Sequence, residues 1–157
     1  MSGKNIYCTE VQMQIRKPVS EVFEAFINPE ITKHFWFTKG SSRLEVNKKV
    51  TWEWEMYNVS VTAVAKEIIE NKKIVFEWGD PATNVEITFS TLRDGFTYVV
   101  INECGYNKTG DELLAAIKDS TGGFTTVLDG LKAYLEHGIN LNLIGDKYPR
   151  EIIQHGQ

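Results

Sequence analysis

The sequence predicts an α+β domain, an antiparallel sheet covered on one face by a long C-terminal helix. Three observations predict it. Between about residues 42 and 104, apolar and polar residues alternate with the period of two that a half-buried strand requires. Short polar turns separate these runs, and consecutive hairpins make an antiparallel sheet. From Asp111 the period becomes helical and stays so to Gly138, which supplies an apolar stripe long enough to cover a sheet face.

The elements follow in order. Residues 6–15 read as a first strand, with Val11, Met13 and Ile15 alternating with Gln12 and Gln14. Pro18 suits a helix start. Val19, Val22, Phe23, Phe26 and Ile27 then form one helical stripe, and Asn28-Pro29 ends that helix and caps a short second one over 30–37. Strands are expected over 42–46, 50–56, 59–69, 73–79, 85–90 and 96–104, with turns at Asn71-Lys72, Asp80-Pro81 and the hairpin signal Asp94-Gly95. Leu113, Leu114, Ile117, Phe124, Val127, Leu128, Leu131, Tyr134 and Leu135 carry the long helix to His137 and Gly138, a charge and a left-handed residue suited to a C-terminus. Gly122-Gly123 either breaks that helix or leaves a bare patch that something approaches closely. Residues 139–157 give little signal and are expected as a surface tail on a core spanning 6–138.

The bulk numbers narrow the function classes. A length of 157 residues fits one domain with a real core, and 42% hydrophobic with 24% charged residues is globular composition. A net charge of −4 supplies no basic field for phosphate backbones, so nucleic acid is a poor partner. No apolar run is long enough for a membrane span. The opening Met-Ser-Gly-Lys-Asn lacks a secretory pattern. With two cysteines far apart, the setting is expected to be reducing and cytoplasmic. No dinucleotide, Walker, zinc-protease or nucleophile-elbow signature occurs. His34, His137 and His155 are too scattered for a metal site, so neither metal nor cofactor is expected.

Three stretches carry a family likeness. They are Lys17-Pro18-Val19-Ser20-Glu21-Val22-Phe23-Glu24-Ala25-Phe26 with Asn28-Pro29-Glu30 and Phe35-Trp36-Phe37; the segment 68–79 ending Phe76-Glu77-Trp78; and Gly123-Phe124-Thr125-Thr126-Val127-Leu128 through Leu131-Lys132-Ala133-Tyr134-Leu135-Glu136. Together they resemble the activator of heat-shock protein 90 ATPase homologue-like family, within the START and birch-pollen-allergen superfamily, with Phe124 where the family usually has Trp. The resemblance implies a helix-grip fold, a curved antiparallel sheet wrapped around the long helix with two short helices after the first strand. It implies a cavity for lipids, sterols or polyketides, and in a minority of members cyclase or dehydratase chemistry. It also implies that the first and last strands are antiparallel neighbours, which would bring Cys8 and Cys104 near each other; two reduced thiols are the expectation for them.

The candidate cavity residues are Trp36, Trp52, Trp54, Phe76, Trp78, Ile87, Phe89, Val99 and Ile101, faced by Phe124, Leu128 and Leu131 from the helix. The same pattern also describes a solid core. Two ionisable residues are catalytic candidates. His34 precedes Phe35-Trp36, and Glu103 shares the face of Thr97, Val99 and Ile101 by period two, although a strand-end carboxylate is first read as solvated. The leading expectation is a non-enzymatic domain that binds a hydrophobic small molecule. A protein-interaction module or chaperone co-factor, with a homodimer among its possible assemblies, and a small cyclase- or dehydratase-type enzyme are the alternatives.

Overall fold

The structure is a computed structural model, and it describes residues 7–152. Seven strands form one antiparallel sheet in the order β1-β7-β6-β5-β4-β3-β2. They are β1 (Thr9–Ile15), β2 (Lys39–Gly40), β3 (Lys49–Trp54), β4 (Val59–Ile69), β5 (Lys73–Trp78), β6 (Thr83–Thr91) and β7 (Thr97–Cys104). The helices are α1 (Val19–Ile27), α2 (Pro29–Thr32), α3 (Gly110–His137) and α4 (Leu143–Lys147). The start of the expected first strand, Ile6, lies outside the described residues.

The turn chemistry acts as the sequence predicts. Asn28 accepts a hydrogen bond from the Glu30 N–H through its side chain (3.0 Å) with Pro29 opening α2, which satisfies an orphan donor of the first turn. Gly95, at φ +87°, closes the β6–β7 hairpin with Leu92. Gly138, at φ +67°, ends α3.

Two expectations are corrected, and an open alternative is decided. Residues 42–46 form no strand: only Val46 makes a single parallel bridge, to Ala65, while Leu44 is buried and its N–H donates to the Ile27 carbonyl (3.1 Å). The apolar alternation there anchors a crossing loop, and the edge strand is the two-residue β2 instead. The second short helix stops at Thr32, where the Thr32 side chain bonds the Asn28 carbonyl (3.0 Å); residues 33–37 turn inward, so that Phe35, Trp36 and Phe37 are all buried. Of the two alternatives at Gly122-Gly123 the second holds: α3 runs unbroken through the pair. Lys147 Nζ approaches the pair, 3.0 Å from where a Gly122 Cβ would stand, and Gly130 is approached as well: a Cβ there would stand 3.2 Å from the Phe35 Cβ and 3.3 Å from its carbonyl oxygen.

The inner face of the sheet divides in two. On β1, β7 and β6 it is mainly aliphatic: Val11 opposes Ile101 and Ile101 opposes Ile87, all buried. On β5, β4 and β3 it is aromatic over alanine: Phe76 opposes Ala65, Trp78 opposes Ala63, and Ala63 opposes Val50. Helix α3 packs against β1, so it covers the aliphatic half most directly. Helix α1 lays Phe23 and Phe26 against Phe89 of β6 (ring centroids 5.4 and 5.9 Å).

The cysteines also depart from expectation. Cys8 and Cys104 are joined in a disulfide with Cα atoms 4.5 Å apart. The β1–β7 register, Thr9 opposite Glu103, makes them direct cross-strand partners one step further along. A Cα separation of this size is that of a non-hydrogen-bonded antiparallel pair, whose side chains approach most closely.

Candidate ligand site at the aromatic end

Only part of the expected cavity is open. Trp52, Phe76, Ile87, Phe89, Val99, Ile101, Leu128 and Leu131 are buried in packed core, and none of them borders any of the three main clefts among the described residues. The turn at 33–37 supplies the filling. Phe37 stacks on Trp52 (5.0 Å, 18° between planes), and Trp36 sits 5.1 Å from Trp52. Phe76 meets Trp52 edge-on at 5.2 Å.

What stays open is a crevice of about 190 Å³ between the aromatic end of the sheet and α3. Four of the expected residues wall it: Trp36, Trp54, Trp78 and Phe124. Their ring centroids are 5.6 to 6.4 Å apart in the pairs Trp36–Trp78, Trp36–Phe124, Trp78–Phe124 and Trp54–Trp78. Gly123 belongs to the wall, and a Cβ there would meet nothing within 4 Å. The bare patch expected at the glycine pair is therefore present: Gly123 faces open space, and Lys147 Nζ approaches Gly122.

Glu103 is the buried polar member of this wall, at 4% exposure. Its reading as a solvated strand end is corrected. Three neutral groups donate to it: the indole Nε1 of Trp78 (3.0 Å) and the Thr83 hydroxyl to Oε2, and the Ser120 hydroxyl (2.7 Å) to Oε1. The Tyr106 hydroxyl is 3.4 Å from Oε1 and 2.6 Å from Thr9 Oγ1, so its single proton serves one acceptor at a time. Burial raises the Tyr106 phenol above its ordinary pKa, with the Ser120 and Thr9 hydrogen bonds opposing. A buried carboxylate needs such donors, because losing water without replacement costs several kcal/mol. Period two puts Glu103 on the inner face; its donors come from β5, β6 and α3, and no local pattern joins them.

His34 stands elsewhere. It stacks on Tyr134 (4.5 Å, 12°) and borders a second cleft of about 380 Å³ with Lys33, Met56, Gly130 and residues 140–146. The two catalytic candidates share no cleft. A third, open cleft of about 800 Å³ lies beside Trp54, Met56, Tyr57, Val59 and Trp78. One residue borders all three: Ile144 of α4, packed against the core. The Tyr57 hydroxyl holds this segment through the carbonyls of Tyr148 (2.7 Å) and Ile144 (3.1 Å), its single proton serving one of them at a time, and Lys147 Nζ reaches the Thr126 hydroxyl on α3 (3.2 Å). The C-terminal segment, silent in the sequence, thus sits across the mouth of the crevice.

Among the described residues, no helix is long and apolar enough to cross a membrane, and no cluster of three or more His, Cys, Asp or Glu could hold a metal ion.

Solved structures share this fold. The protein SSP2350 from Staphylococcus saprophyticus is 29% identical, with a TM-score of 0.74 over 86% of this chain and 96% of that one. The Aha1 dimer from Colwellia psychrerythraea is 15% identical, with a TM-score of 0.71 over 84% of this chain and 98% of that one. DynU16, a putative protein in the dynemicin biosynthetic locus, is 16% identical, with a TM-score of 0.76 over 85% of this chain and 48% of that one. No curated protein matches the sequence. The fold is thus the helix-grip fold that the resemblance implied. The family described as Activator of Hsp90 ATPase homolog 1-like protein matches residues 16–136, from the end of β1 to the last turn of α3, and to that family the chain belongs.

Proposed function

We propose that this chain binds a small, largely apolar molecule between the aromatic end of the sheet and α3. The observation that carries the reading is the crevice of about 190 Å³ walled by Trp36, Trp54, Trp78 and Phe124 with a single buried carboxylate, Glu103. Binding sites for small molecules combine apolar walls with a few fixed polar groups in this way.

Size limits the guest. A dry cavity of about 150 Å³ takes a benzene ring, so the crevice as it stands suits one or two rings. A sterol, a lipid chain or an extended polyketide needs the neighbouring clefts as well, and Ile144 stands between them. A thermal-shift and native mass-spectrometry series tests this, running from monocyclic aromatics through polycyclic polyketides to sterols and fatty acids. Monocyclic and bicyclic compounds are expected to stabilise the protein, since a ligand at 100 times its Kd adds about 2.7 kcal/mol. Larger members should act only once Ile144→Ala has widened the mouth. A series in which nothing binds contradicts the reading.

A second reading is a protein-interaction module, a homodimer or chaperone co-factor. It draws on Ile139, Leu141, Tyr148 and Ile152, all about half exposed on the C-terminal segment. Light scattering on the purified chain and a pull-down with the chaperone discriminate it. The cyclase or dehydratase reading needs two converging ionisable groups, and His34 and Glu103 border separate clefts.

A further inference from the structure

We propose that the crevice selects a small organic cation, a protonated amine or alkylammonium carried on an apolar body. This deepens the binding reading above and rests on it.

The first observation is a buried carboxyl with no basic partner. Glu103 is 4% exposed, and its partners Trp78, Thr83, Ser120 and Tyr106 are all neutral. The residues bordering the crevice include a second carboxylate, Asp119, and no lysine, arginine or histidine. Lys147 Nζ lies outside the lining, bonded to the Thr126 hydroxyl and beside Gly122, and Arg150 borders only the two outer clefts. The crevice lining therefore carries acidic groups and no basic one, and a cation that reached the buried Glu103 would meet a partner screened less than at the surface.

The second observation is the nature of the walls. Trp36, Trp54, Trp78 and Phe124 surround the space. Aromatic faces carry negative quadrupole potential and attract cations, indole most strongly, and the attraction grows when water is excluded. The Trp78 N–H donates to the Glu103 carboxylate at 3.0 Å, a hydrogen bond that pushes electron density into the indole ring. The same carboxylate thus acts on a cation twice, directly and through Trp78. A neutral guest gains the apolar contact alone, and an anion meets repulsion from both.

Three probes of one size separate the possibilities: benzylammonium, benzyl alcohol and benzoate. Titrations of the full chain followed by tryptophan fluorescence and by the indole N–H resonances read each affinity. On the unaltered protein, benzylammonium is expected to bind at least about tenfold tighter than benzyl alcohol, with benzoate weakest. Glu103→Gln, which keeps the shape and most of the hydrogen bonds, should remove the preference for benzylammonium over benzyl alcohol. Trp54→Leu should weaken benzylammonium more than benzyl alcohol; it serves if the Glu103 variant does not fold. Equal affinity for the alcohol and the ammonium overturns the cation proposal and leaves the binding reading standing. Failure of all three probes to bind, with no movement of the Trp54 and Trp78 indole signals, overturns both.

Discussion

The two halves of the sheet's inner face are built from different side chains, and only one of them leaves room. At the β1–β7–β6 half, branched aliphatic residues meet Leu128 and Leu131 of α3, and every one of these is buried. At the β5–β4–β3 half, flat rings sit over alanines on β4 and are covered by a turn, α4 and the flank of α3. Aliphatic side chains interdigitate to the density of organic crystals. Indole rings are rigid plates that meet edge to face at 5 to 6 Å, and their corners leave gaps that small neighbours do not fill. One sheet thus serves as foundation at one end and as receptor at the other.

The largest effect belongs to the outer edge of the foundation. Replacing Cys8 and Cys104 together by serine removes a crosslink spanning 96 residues, worth roughly 4.7 kcal/mol in chemical denaturation by loop-closure entropy. Thiol titration of the unreduced, denatured protein should find no free thiol. Two titrating thiols and unchanged stability would erase that edge of the comparison.

Next come matched truncations in the two halves. Leu128→Ala should lower stability by about 2 to 5 kcal/mol, as buried leucines do. Trp54→Leu, at a partly buried position facing the clefts, should cost less than Leu128→Ala, because the truncation widens an open cleft rather than leaving a closed cavity, and change guest affinity instead. Equal losses would mean that the aromatic end is as tightly packed as the aliphatic one.

Smaller still is a pair of glycine substitutions on one helix. Gly123→Ala should raise stability by up to about 1 kcal/mol, because alanine is the better helix former and its methyl enters open space. Gly130→Ala should lower stability, since its methyl meets Phe35 at 3.2 to 3.3 Å. A stabilising Gly130→Ala would show that the 33–37 turn is not pressed against α3.

The smallest effect is a pH dependence tied to the frame around both halves. Burial opposes ionisation of Glu136, yet the Arg16 N–H and Lys132 Nζ, each 2.7 Å away, hold its carboxyl below the ordinary 4.5. The Arg43 guanidinium does the same for Glu24. A lowered folded-state pKa means stability that is present above about pH 4.5 and lost as pH falls through the lower, folded value. Glu136→Gln should therefore flatten the acid limb of a stability–pH curve and leave its shape near pH 7 unchanged; an unaltered limb would deny the carboxyl this role.

Much of this division was legible in the sequence. Period two put Trp52, Trp54, Phe76 and Trp78 on one face, and Glu103 with them. The helical stripe of α3 and its glycine ending were equally plain. Illegible were the features made by contact between distant segments. Phe35-Trp36-Phe37 reads as helix because its apolar run suits one, whereas the turn drives all three rings into the space a cavity would need. The donors to Glu103 converge from three elements through register. Ile144 lies in a segment with no periodicity, and only its position between three clefts reveals its role.

The central claim is that the aromatic end alone admits a guest. The most direct measurement is a two-dimensional ¹H–¹⁵N spectrum of the protein titrated with benzylammonium. The account predicts saturable shifts at the Trp54 and Trp78 indoles and at the amides of Ser120, Gly123 and Phe124, with Val11, Ile87 and Ile101 unmoved. Shifts spread evenly over both halves, or none at any indole, would contradict it.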